Sequence, residues 1–319
     1  MATRHVILVT YGEPPTPAFT AHLAYSWRIL LGLTRTIADI PWPLLPIIAL
    51  ARARTRNRTW TSEAYGSPLE AITARQAERL RGALSSADAG GTWQVHAAYE
   101  FRRPLLAEVL DALPRHEDVA IVPMYAADSA FTHALSRGTA AAHERARPRP
   151  RPVAVLAHLG AEALGEASAA HVVEQTSGGD EWRGPGVALV LAAHGTLLQP
   201  PRPVETGLAA TEEIVGAIER RLSPHFGLIV HGWLNHVRGG PWTEPPIEAA
   251  LQQVAAAGFG RVVYFPYGFL ADNAESQLEG RVALRAQPGI RALHLPCLNE
   301  SPLLIDAIAA QLVDRGPGL

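Results

Sequence analysis

Short apolar runs recur along the chain, separated by longer stretches in which apolar positions return at helical spacing. The runs lie at 6–10, 95–99, 119–123, 153–157, 187–192, 227–231, 262–266 and 293–295. Each is too short for a core helix and bounded by turn residues, so each predicts a buried strand. Helical spacing marks 18–34, 69–84, 104–113, 129–144, 161–173, 205–221, 246–257 and a last segment ending at 313. Strands alternating with helices imply parallel sheets with helices on both faces. The halves share a plan: the run 6–10 leads into Tyr11-Gly12-Glu13, and 187–192 leads to His194-Gly195-Thr196, each before a proline-rich loop. The pattern predicts an α/β fold of two Rossmann-like lobes, 1–155 and 156–319, facing each other across a cleft. No Gly-x-Gly-x-x-Gly follows any strand, so no nucleotide cofactor is indicated.

One stretch, 261–279, concentrates candidate chemistry. An apolar run reaches Pro266, Gly268 permits a sharp exit, and Asp272 or Asn273 can cap a helix whose first turn holds Glu275. Open α/β folds place ligands at this carboxyl edge of the sheet. The acids either cap the helix and complement its dipole, or do chemistry. His194 closes another strand, and a histidine there is a hydrogen-bonded loop residue, a base or a ligand. Paired across the cleft, His194 and Glu275 would suit a divalent metal or proton transfer near neutral pH. His231 and His158 also follow strands and are weaker candidates. No Gly-x-Ser-x-Gly elbow supports a serine nucleophile.

Residues 40–50 set Pro41, Pro43 and Pro46 among Trp42, Leu44, Leu45, Ile47 and Ile48, which predicts an apolar, partly irregular segment. Arg52, Arg54, Arg56 and Arg58 follow. Such a pairing suits an ordinary solvated loop, a membrane surface, or an apolar ligand carrying carboxylates.

Composition narrows the partners. The 319 residues, 48% of them hydrophobic, can build a large core, and a net charge of -2 provides no basic field for nucleic acid. All 28 basic residues are arginine, which removes Schiff-base lysine chemistry and a phosphate-loop lysine. The single cysteine, Cys297, allows no intrachain disulfide and no all-cysteine cluster within one chain. With no signal-like start and no apolar stretch near about twenty residues, a soluble, cytoplasmic protein is expected.

Six motifs in order resemble the ferrochelatase family, the type that inserts metal into porphyrins without ATP. They are the strand into Gly12-Glu13-Pro14; the apolar 40–51 segment with Gly66-Ser67-Pro68-Leu69; Ala192-Ala193-His194-Gly195; Trp233 with Pro241-Trp242; Pro266-Tyr267-Gly268-Phe269 through Asp272 and Glu275; and Cys297-Leu298-Asn299 with Ser301-Pro302. The resemblance implies a chelatase-like fold with 36–60 as a porphyrin lip. It implies His194 as the base for pyrrole protons or the metal's last ligand, with Glu275 as its partner across the cleft. It further implies Tyr11, Arg52, Arg54, Tyr125, Trp233 and Asn235 as substrate-binding residues, Tyr11 as an iron contact. The implied metal is divalent, Fe²⁺ foremost, as substrate or ligand.

The chain departs from the family pattern within the expected cleft. Asn273 stands where the family has histidine, Glu100 where it has arginine, and Ala126-Ala127-Asp128-Ser129 where it has a hydroxyl-rich loop. Trp233-Leu234-Asn235 replaces Trp-Gln-Ser, and the C-terminal cysteines that hold an iron–sulfur cluster in some members are missing. Three readings follow: metal insertion into a tetrapyrrole in haem biosynthesis, a recruited His/Glu metal enzyme acting on a small molecule in a specialised pathway, or a non-catalytic tetrapyrrole binder.

Overall fold

The computed structural model describes residues 3–88, 91–150, 152–234 and 241–314. The chain divides into two compact units, Met1–His158 with Pro200–Glu205 and Ile305–Leu319, and Leu159–Gln199 with Thr206–Leu304. The expected single cut at 155/156 is thus replaced by interleaved segments, because the end of the chain counts with the first unit.

The first unit contains β1 (Thr3–Thr10), α1 (Phe19–Thr36), α2 (Leu45–Ser62), α3 (Leu69–Ala87), β2 (Thr92–Tyr99), α4 (Leu106–Ala112), β3 (Asp118–Pro123), α5 (His133–Ala146) and β4 (Ala154–Val155). Its strands form a parallel sheet in the order β2-β1-β3-β4. Ile7, Val9, Ala98, Val119 and Ile121 from the sheet pack with Leu106 and Leu110 of α4 and Ala140 of α5. Successive strand residues face opposite ways, so this alternate set forms one buried face.

The second unit contains α6 (Ala161–Gln175), β5 (Gly184–His194), α7 (Leu208–Leu222), β6 (Phe226–Leu234), α8 (Ile247–Ala256), β7 (Arg261–Phe265), a π-helical turn (Ala274–Glu279), α9 (Gly280–Arg285) and β8 (Arg291–His294). Its sheet is also parallel and ordered β6-β5-β7-β8. Ala188, Val190, Ala192, Val262 and Tyr264 pack with Ile247, Leu251 and Val254 of α8 and Ala283 and Leu284 of α9. A final helix, α10, runs Pro302–Asp314.

Several local expectations are corrected. The segment 40–50 is more regular than its prolines suggested: a 3₁₀ turn, Trp42–Leu44, leads straight into α2. Pro46 lies in the first turn of α2, where a backbone N–H is not needed for the ladder. The arginines therefore ride on a helix rather than a loop. Helix α5 begins at His133, not 129, because Ser129 and Thr132 tie the preceding loop: Ser129 N–H donates to Thr132 Oγ1 at 2.7 Å. No described helix is long and apolar enough to cross a membrane.

Candidate functional site

Within the second unit, neighbouring strands β5 and β7 deliver the two expected reactive groups. Residues Val187 to Ala193 are buried, and His194 is the last residue of β5, where the strand reaches the sheet edge. After it, Gly195 N–H donates to the Leu234 carbonyl at 2.9 Å and Thr196 N–H to Thr243 Oγ1 at 3.1 Å, which fixes the strand exit. Strand β7 leaves through Pro266-Tyr267-Gly268, and Gly268 N–H donates to the Ala192 carbonyl at 3.2 Å. A Cβ on Gly268 would come within 2.8 Å of Ala193 Cα, so only glycine lets this exit lie against the residue beside His194.

The turn that follows is capped by Asn273, whose side-chain oxygen accepts from Glu275 N–H at 2.9 Å and Ser276 N–H at 3.0 Å. Two of the turn's otherwise orphaned donors are thereby satisfied. Glu275 Oε2 lies 2.6 Å from His194 Nδ1, a charge-assisted hydrogen-bond distance. The His194 side chain is 49% exposed and that of Glu275 16%, so the pair meets solvent through the imidazole. The sequence predicted partners facing each other across an inter-lobe cleft. They are instead neighbours within one unit, because β5 and β7 are adjacent strands of one sheet.

Supporting groups surround the turn. Asp272 Oδ1 accepts from Cys297 N–H at 2.7 Å and Gln277 Nε2 at 2.8 Å, and its Oδ2 accepts from Asn299 Nδ2 at 2.9 Å. His294 Nε2 donates to the Ser276 carbonyl at 2.9 Å, and burial lowers its imidazole pKa. Cys297 is fully buried, and burial holds its thiol well above the usual range, so it is a packing residue and not a nucleophile.

The other anticipated residues fall in different surroundings. Trp233 is buried at 5% exposure, its indole N–H donating to the Glu244 carbonyl at 3.2 Å and its ring 4.3 Å from that of His231. Its polar handle is spent on its own loop. Asn235 lies outside the described residues. His231 is a structural group: Tyr267 OH is 2.8 Å from its Nε2, and burial depresses its pKa to about 4.

In the first unit, Tyr11 and Tyr125 meet at the carboxyl edge of the sheet, rings 4.7 Å apart. Phe101 and Phe131 lie against Tyr11 at 5.6 and 5.8 Å, and Tyr11 OH donates to the Phe131 carbonyl at 2.8 Å. The Tyr125 hydroxyl is buried without a hydrogen-bond partner among the described residues. Arg52 is half-buried on α2 and Arg54 exposed, while Arg56 lies 5.1 Å over the Tyr25 ring. Trp42 and Ile47, at the start of this segment, are 60% and 65% exposed. His158 lies in the first unit, its ring 6.0 Å from His133.

Sequence reasoning missed two features. Glu100 was noted only as a departure, yet it accepts from Ser136 Oγ at 2.8 Å, and burial pushes its pKa up to about 7. The pairing of Asp272 with Asn299 was also missed; the only signal was an Asn two residues after Cys297, and its left-handed φ of 47° appears only in the structure. Among the described residues no group of three or more His, Cys, Asp or Glu converges as a metal cage. His194 and Glu275 are an imidazole and a carboxylate, donor types that divalent metals accept.

The family model described as Ferrochelatase matches residues 3–315. The ferrochelatase of Synechococcus sp. (strain JA-3-3Ab) is 26% identical over 331 positions, covering 97% of this chain and 93% of that relative. Among solved structures, CbiX, described as the terminal enzyme for siroheme biosynthesis in denitrifying bacteria, aligns with a TM-score of 0.52 at 17% identity over 99% of both chains. A multi-domain Deinococcus radiodurans protein, described as structurally similar to chelatases, aligns with a TM-score of 0.52 at 18% identity; the chain spans 55% of its length. At these identities the two structures share the α/β chelatase fold with this chain.

Proposed function

From the chain's membership of the ferrochelatase family, which makes it a metal chelatase, we propose that it inserts Fe²⁺ into a porphyrin, as in haem biosynthesis. The observation that carries this reading is the half-exposed His194 imidazole held on a carboxylate.

Insertion exchanges two pyrrole N–H protons for one divalent ion, so the ring needs a base beside it. His194 accepts a proton at Nε2, the ring nitrogen remote from Glu275. Glu275 at Nδ1 fixes the ring orientation and stabilises the imidazolium that forms, as the carboxylate does for the base histidine of a catalytic triad. The proton then leaves to solvent through the exposed edge of the imidazole, which readies it for the second. In the alternative role, the same Nε2 would instead be the arriving metal's last protein ligand, since one imidazole nitrogen cannot hold the metal and take a pyrrole proton together.

Tyr11 and Tyr125 are proposed ring contacts, since they form an aromatic surface at the carboxyl edge of their own sheet. Arg52 and Arg54 are proposed partners for ring carboxylates. Trp233 is assigned support of its loop in place of direct contact, because its N–H is already used.

The test is an anaerobic absorbance assay with coproporphyrin III or protoporphyrin IX and Fe²⁺, Co²⁺ or Zn²⁺. Conversion of free-base to metalloporphyrin bands, faster than without protein, supports the proposal. Ring binding without conversion would make the protein a tetrapyrrole carrier. No binding of either ring would redirect the His194–Glu275 pair to a small-molecule substrate.

A further inference from the structure

The Asn273 cap shapes the turn bearing Glu275, but its side-chain bonds, to Glu275 N–H, Ser276 N–H and the Ala271 carbonyl, stay within residues 271–276. A cap sets the form of a turn and does not by itself fix where the turn sits. Placement comes from outside the turn: His294 of β8 bonds the Ser276 carbonyl, and the segment joining β8 to α10 holds Asp272. Asn299 makes a two-bond fork with Asp272: Asp272 N–H donates to Asn299 Oδ1 at 2.9 Å, and Asn299 Nδ2 donates to Asp272 Oδ2 at 2.9 Å. The other carboxylate oxygen of Asp272 takes Gln277 Nε2 from within the turn and Cys297 N–H from the joining segment. Asp272 therefore ties three pieces of chain together three residues before Glu275.

The joining segment is itself anchored. Cys297 Sγ lies 3.7 Å from the Pro266 carbonyl, at the exit of β7, and His171 Nε2 donates to the Pro296 carbonyl at 3.0 Å. Asn299 sits in the left-handed region at φ 47°, a conformation asparagine tolerates better than most side chains. Backbone held there, with both side-chain ends used on one carboxylate and its own amide, is over-determined by its surroundings.

We propose that Asn299 is a positioning residue for Glu275, acting through Asp272 to hold the carboxylate against His194. This rests on the assignment of His194 and Glu275 as the proton-handling pair. A base and its orienting carboxylate lose efficiency when their separation drifts by a fraction of an ångström.

The fork can be reversed. Asn299→Asp alone sets two carboxylates together, and Asp272→Asn alone sets two amide donors together. The double variant Asp272→Asn with Asn299→Asp restores a donor facing an acceptor at every bond of the fork. It also leaves an oxygen at 272 for Cys297 and Gln277. Each single variant is expected to lower kcat roughly 10-fold with little change in KM for the porphyrin, and the double variant to recover most of the loss. Amide hydrogen exchange of residues 273–279 in the metal-free, ring-free protein should follow the same order: faster in the singles, protected again in the double. Melting temperatures identify any variant that fails to fold, and the double variant then carries the test. Unchanged kcat and exchange in folded singles, or a folded double variant without recovery, would overturn the proposal. If the wild-type protein turns over no porphyrin, the function reading falls, while the exchange pattern still decides whether Asn299 positions the turn.

Discussion

The two sheets share one strand order, second-first-third-fourth within each unit, but their carboxyl edges differ in kind. In the second unit a hydrogen-bonded imidazole–carboxylate pair stands at the edge, with the imidazole open to solvent. In the first unit the edge carries Tyr11 in ring contact with Phe101, Tyr125 and Phe131, and the neighbouring Glu100 carboxyl has its pKa raised by burial to about 7. One edge holds an ionisable pair open to solvent, and the other packs aromatic rings against the core. The scaffold sets where side chains emerge, and the residues at strand ends decide what each edge does.

That contrast is sharpened or broken by four substitutions. His194→Ala removes the base and is expected to lower the turnover rate about 100-fold or more, read as the initial rate of metalloporphyrin formation. Glu275→Gln keeps the shape but loses the charge on Nδ1; kcat should fall roughly 10- to 100-fold, with KM for the ring little changed. Similar losses from changes at the first unit's edge would erase the distinction between the two. Tyr11→Phe, which deletes the bond to the Phe131 carbonyl, should instead raise KM by about threefold to tenfold with kcat retained.

The smallest effect on turnover is expected for Glu100→Gln, whose signature is in stability. Burial raises the Glu100 pKa from 4.5 to about 7, so the folded state holds a proton that the unfolded chain has released. Stability should therefore fall as pH rises from about 4.5 to about 7, then level off. Glu100→Gln should remove roughly 1–3 kcal/mol of that decline, seen as a flatter dependence of melting temperature on pH. An unaltered slope would mean that Glu100 is ionised and hydrated in the folded state.

The legible part of the molecule was whatever local pattern dictates. The apolar run before Pro266, a cap at Asp272 or Asn273 and a histidine after the 187–192 run could each be read from spacing and residue type; the structure caps with Asn273 and ends β5 on His194. The helix at Leu45–Ser62 was obscured because its prolines fall at its start, where they are tolerated, and a run of alternating arginines gives little amphipathic signal. The adjacency of His194, at the end of β5, and Glu275, in the turn after β7, depends on strand order, which periodicity does not encode. The fork between Asp272 and Asn299 joins positions far apart in sequence through a single left-handed residue, and no local rule reports such a bond.

The central claim is that the His194 imidazole takes the protons that metal entry displaces. It is tested most directly by single-turnover Fe²⁺ insertion with His194→Ala, under anaerobic conditions, with and without added imidazole. The account predicts a variant that still binds porphyrin, inserts metal slowly, and regains rate in proportion to imidazole concentration. A variant that inserts metal at the wild-type rate, or one that binds porphyrin and stays slow at every imidazole concentration, would contradict it.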